Sequence, residues 1–96
     1  MALFHFIGLD RKGALATRMA VRPEHLDYAK TYVVLGGPIL DEHGDPMGSV
    51  MIIEAENIEV AKSRLDHDPY TKADLFESTW LRPWRAAIGG IAGYEG

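Results

Sequence analysis

Residues 2–9, ALFHFIGL, alternate into two sets, Leu3/His5/Ile7 and Phe4/Phe6/Gly8, and both sets are mostly apolar. A strand with one wet face alternates apolar and polar residues, so a strand apolar on both sides must be covered on both. The run at 49–55, SVMIIEA, repeats the pattern, with Met51/Ile53/Ala55 on one side and Val50/Ile52 on the other. The chain therefore needs a sheet with material on each face. Its 96 residues provide one domain, not two.

The remaining segments supply the rest of that sheet and its helices. Asp10-Arg11-Lys12-Gly13 reads as a connector, followed by helix-compatible sequence up to Pro23. Proline in the first turn of a helix gives up no hydrogen bond, which places the main first helix at roughly 22–33. Its apolar stripe is then Leu26, Ala29 and Val33, with His25, Tyr28 and Tyr32 bordering the core beside it. Residues 33–40, VVLGGPIL, form an edge or bulged strand, because Pro38 cannot donate to a ladder. Residues 41–48 carry the turn chemistry of a hairpin loop leading to the strand at 49–55. Asn57 caps a second helix at about 57–67, and Asp68-Pro69 opens a short helical turn to about Ala73. A last strand spans 75–83 and ends at Pro83.

The order is β-α-β-β-α-β, a ferredoxin-like α+β fold with an antiparallel four-stranded sheet and its helices on one face. The domain is expected over residues 1–84, with 85–96 as a Gly/Ala-rich tail. Helices on one face leave the other bare, and an apolar bare face calls for a partner, so a homodimer through that face is expected.

Charge and composition exclude several functions. The net charge is −4 and the ten basic residues are dispersed, which argues against nucleic-acid binding. No apolar run approaches the ~20 residues of a membrane span, and Met1 leads into strand sequence without the basic start of a signal peptide. A soluble cytoplasmic protein is expected. Cysteine is absent, so disulfides and thiolate chemistry are excluded.

The residues that offer chemistry are few. His25 stands near a helix start and Asp68 is the carboxylate best placed to orient it, which would leave one imidazole nitrogen free for proton transfer. Arg22, one turn earlier, suits an anionic substrate oxygen or an ion pair with a surface acid. Tyr70, Trp80 and Trp84 suit the wall of a pocket for an aromatic ligand or the packing of core and dimer. Ser78 or Thr79 on the last strand suits a hydrogen bond in the cleft or a place at the solvent or core edge. The residue types alone favour a surface histidine and a simple helix cap, and hence leave open a non-catalytic ligand-binding or structural dimer module. No serine lies in a nucleophile elbow. Asp41, His43 and Asp45 lack metal-ligand spacing and read as a turn, and no Gly-x-Gly-x-x-Gly opens a helix, so neither metal nor cofactor is expected. His5 reads as a core-edge histidine.

Four short motifs, taken in order, resemble the YCII-related family. They are Arg22-x-x-His25-Leu26, Gly37-Pro38, Asp68-Pro69-Tyr70 and Arg82-Pro83-Trp84, and together they run from the first helix to Trp84. Gly36 departs mildly from the alanine more common before that Gly-Pro pair, and Asp74 stands where a small residue is usual. The resemblance implies a ferredoxin-like dimer of the α+β barrel type, with His25 and Asp68 as an acid–base pair in a cleft. It further implies a small cyclic or aromatic oxygenated substrate, handled by elimination of the dehydrochlorinase kind or by isomerisation.

Overall fold

The two strands that are apolar on both sides occupy the two central positions of the sheet. A computed structural model describes residues 1–90 and gives β1 (Ala2–Asp10), α1 (Leu15–Ala29), β2 (Val33–Leu40), β3 (Pro46–Ala55), α2 (Ile58–Asp66), α3 (Pro69–Lys72) and β4 (Phe76–Trp84). The strand order is β2-β3-β1-β4 and every neighbouring pair is antiparallel. This is the expected ferredoxin-like arrangement. The expected tail falls partly outside the described residues, from 91 to 96.

Register follows the alternation. Phe4 pairs with Ile53 and Phe6 with Met51, and these four join Ala29 of α1, Tyr32 in the turn after it, and Ala61 and Leu65 of α2 in one buried cluster. Leu3, His5 and Ile7 point to the opposite face, beside Ile52, Val50 and, across β4, Trp80 and Trp84. Among the described residues that face carries no helix, and Leu35 and Trp80 on it remain 58% and 50% exposed. Gly8 is required by close approach: a Cβ there would lie 2.7 Å from the Phe76 ring and 2.9 Å from Phe6. Among the described residues, no helix is long and apolar enough to cross a membrane.

Three expected boundaries are corrected. The first helix does not start at residue 22; α1 is continuous from Leu15 to Ala29 with Pro23 inside it. An interior proline loses a hydrogen bond and crowds the preceding turn, at about 3 kcal/mol. Tertiary contacts outweigh the local rule here. Arg18, in the half of the helix before Pro23, is 3% exposed and bidentate to Asp10 (2.6 and 2.9 Å), which ties that half to the end of β1. The inward face is consequently Arg18, His25 and Ala29, whereas Leu26, expected in the core, is 41% exposed. Tyr32, expected at the border, is buried.

β3 begins at Pro46 rather than 49, because the hairpin is tighter than expected. Asp41 Oδ1 accepts the His43 and Asp45 amides (2.8 and 3.0 Å), Gly44 takes the left-handed φ of 84°, and pairing resumes at Leu40–Pro46. β4 continues through Pro83 to Trp84, since an edge strand tolerates a missing donor on its outer side.

Candidate active site

Asp68 is the anchor. It is the N-cap of α3: its Oδ1 accepts the Tyr70 amide at 2.9 Å, and Pro69 at the first helical position needs no donor there. α3 follows directly after α2, so the capping carboxylate is delivered beneath α1, where it is 1% exposed. His25 Nδ1 lies 2.8 Å from Oδ1 and 3.0 Å from Oδ2, and the Tyr32 hydroxyl donates to Oδ2 at 2.7 Å. A buried ionised carboxylate requires donors, and these three supply them.

This network selects the imidazole tautomer. A carboxylate only accepts, so Nδ1 carries the proton that it donates, and Nε2 is left with its lone pair. His25 stacks on Tyr70 with ring centroids 3.9 Å apart and planes 13° from parallel, which fixes the ring about the remaining torsion. Nε2 has no partner among the described residues, and His25 lines a cleft of about 210 Å³. The group is thus oriented, desolvated on one side and open on the other, the geometry of a general base.

The cleft lies between α1 and the β2–β3 end of the sheet. Arg18, Arg22, His25, Leu26 and Ala29 descend one side, Tyr70 closes one end, and Ser49 and Met51 of β3 face them. Gly36, Gly37 and Pro38 of β2 form part of the rim. None of the lining residues is acidic. Arg18 is matched by Asp10, while Arg22 has neither ion-pair nor hydrogen-bond partner among the described residues, so the cleft carries uncompensated positive charge.

Titration behaviour follows from these contacts. Burial opposes the Arg18 charge, but the Asp10 carboxylate outweighs it, and the guanidinium pKa is raised. Burial pushes the Tyr32 hydroxyl well above its ordinary value, and the charge of Asp68 adds to the shift. Tyr70 is raised by burial too, against the opposing pull of Arg18 and Arg22. Both phenols are neutral at physiological pH.

Of the residues singled out in the sequence, His25, Asp68, Arg22 and Tyr70 come together here. Ser78 does not. It pairs with Leu9 on the sheet face without helices, and the expectation that it reaches the cleft is corrected by the pleat, which turns residue 78 to the other side. Thr79 is likewise absent from the lining, and Asp74, with φ of 54°, pairs with Arg11 on the exterior. Arg18, Ser49 and Tyr32 were not anticipated. Residues 18, 22, 25 and 29 are spaced for one helical face, a signal hidden once the helix is started at Pro23.

Comparison with known proteins extends beyond this cleft. Residues 2–85 match the YCII-related domain. Protein YciI of Escherichia coli O6:H1 is 30% identical, covering 86% of this chain and 96% of that protein. The solved structure of 5-chloro-2-hydroxyhydroquinone dehydrochlorinase from Burkholderia phenoliruptrix AC1100, in complex with 2,5-dihydroxybenzoquinone, has a TM-score of 0.80 and 34% identity, over 88% of this chain and 95% of that one. An antibiotic biosynthesis monooxygenase shares the fold alone, with a TM-score of 0.58 and 11% identity over 92% of this chain and 100% of that one. The domain match spans all four strands and all three helices, and this chain belongs to the YCII-related family.

Proposed function

We propose that the protein is an acid–base enzyme in which His25 Nε2, oriented by Asp68, moves a proton on a small oxygenated ring. The observation that carries this reading is the 2.8 Å contact between Nδ1 and a carboxylate that is itself fully engaged, in a residue that lines a cleft and whose opposite ring nitrogen has no partner among the described residues. The volume suits a single ring: about 210 Å³ compares with the roughly 150 Å³ cavity that is known to take benzene. Similarity to a dehydrochlorinase bound to a benzoquinone supports the same substrate class.

In an elimination, Nε2 takes a proton from the substrate and the freed electron pair moves through the ring. Chloride departs with the electrons of its own bond, so the substrate loses H⁺ and Cl⁻. Arg22 stabilises the oxygen on which negative charge develops, and Asp68 stabilises the imidazolium. Isomerisation uses the same two groups without a leaving group. The open sheet face supports a homodimer of such sites.

The test is chloride release from 5-chloro-2-hydroxyhydroquinone, alongside binding of 2,5-dihydroxybenzoquinone. The wild type is expected to do both, and His25→Gln, whose amide can still donate to Asp68, to lose turnover by roughly 10²–10⁴ while it remains folded. Binding without turnover of chlorinated or unchlorinated rings by the wild type would point to a ligand-binding module. Absence of both would overturn the reading.

A further inference from the structure

Below the dyad the structure buries an ion pair that acid–base chemistry at His25 does not use. Arg18 and Asp10 have side chains only 4% and 6% exposed, joined by Nε–Oδ2 and Nη2–Oδ1 contacts of 2.6 and 2.9 Å. Burial of such a pair is a weak source of stability, because desolvation of both ions offsets their attraction. The pair does have a product. Arg18 Nη2 also donates to Ser49 Oγ at 2.9 Å, and Ser49, 4% exposed, lines the same cleft as His25.

That contact fixes what Ser49 has to offer. A hydroxyl has one proton and two lone pairs. Arg18 occupies a lone pair, and the Ser49 proton has no acceptor among the described residues. The hydroxyl is therefore held as a donor, polarised by a cation behind it. It stands on β3, on the sheet side of the cleft, whereas His25 and Arg22 stand on α1.

We infer that Ser49, held by the Asp10–Arg18 pair, is a substrate-binding residue that donates to a second oxygen of the ring. The ligand class is accordingly a ring with two separated oxygens, one anionic oxygen for Arg22 and one acceptor oxygen for Ser49. This inference rests on the acid–base reading of the cleft and adds the substrate's second point of attachment. Ser49 is not needed for proton transfer itself; its loss moves affinity first.

The experiment is titration of wild type, Ser49→Ala, Ser49→Thr and His25→Gln with 2,5-dihydroxybenzoquinone, with thermal midpoints measured in parallel. Ser49→Ala is expected to bind about tenfold more weakly or worse, the loss of one hydrogen bond to a charged or strongly polarised oxygen, with a near-unchanged midpoint because Asp10 still engages Arg18. Ser49→Thr, which keeps the hydroxyl, is expected to retain most of the affinity. Wild-type affinity in Ser49→Ala overturns the inference, and so does an equal loss in the alanine and threonine variants, which would mark a packing effect. If Ser49→Ala binds normally while His25→Gln has lost turnover, this inference fails and the acid–base reading stands. If the wild type binds no ring at all, both fall.

Discussion

Asp68 carries two obligations with two oxygens: it caps α3 through Oδ1 and receives His25 and Tyr32. Tyr32 is the least replaceable of these partners, because its hydroxyl is buried against the carboxylate and nothing else is placed to donate to Oδ2 except the histidine. Tyr32→Phe is expected to cost about 1.5–3 kcal/mol in urea denaturation, the range for a hydrogen bond to a charged group. The same residue gives a pH signature. Its folded pKa is raised above the unfolded value of about 10, so its contribution is complete below that value. As pH rises beyond about 10 the unfolded chain ionises first, and stability falls. Tyr70 adds to the effect in the same direction. Urea midpoints between pH 8 and 11 should decline at the alkaline end, and more gently in Tyr32→Phe. Equal slopes in both proteins would show that other groups govern the alkaline limit. The cap at Asp68 was legible in Asp68-Pro69, a signal with its own mechanism, whereas its pairing with His25 rested on the order of the family motifs, because residue types alone also fit a simple cap. Tyr32 was not legible, since the helical stripe had been phased from the wrong starting residue.

At the scale of elements, the sequence showed strands more clearly than helix ends. Strand alternation is read residue by residue and has one phase error to make, whereas the start of α1 was decided by weighing one proline against a contact, Arg18–Asp10, that local sequence does not display. Two substitutions separate the local from the tertiary contribution. Pro23→Ala restores an intrahelical hydrogen bond and is expected to stabilise by about 1–2 kcal/mol, less than the interior-proline cost of about 3 because proline also restricts the unfolded chain. A loss of stability instead would mean that the helix depends on the bend that proline imposes. Gly8→Ala runs the other way. Its Cβ would press on the rings of Phe76 and Phe6, which themselves meet edge to face at 5.5 Å, and overpacking there is expected to cost about 1–3 kcal/mol. Both are read from denaturation midpoints at constant m-value.

For the whole molecule the unresolved demand is the one that opened the sequence: a central pair of strands apolar on both sides, with helices on only one. Leu35, Trp80 and Trp84 leave large apolar side chains on the bare face, and Arg82, 4.1 Å above the Trp80 ring, covers only part of it. A second copy offers the same face, and two sheets packed together would bury on the order of 1,600 Å² in a standard interface. Sedimentation at micromolar concentration is expected to show a dimer, with a thermal midpoint that rises with protein concentration because association stabilises the folded chain by mass action. Placing a charge on this face tests the location: Trp80→Glu should shift the protein to monomer, since each copy would bury an unpaired carboxylate in the interface. The cleft lies on the helix side, so the monomeric variant should still bind 2,5-dihydroxybenzoquinone through Arg22 and Ser49. A wild type that sediments as a monomer would remove the sheet-face argument. A Trp80→Glu variant that remains dimeric would move the interface elsewhere, with Leu40 and Met47, exposed at the β2–β3 hairpin on the far side of the sheet from β4, as one alternative.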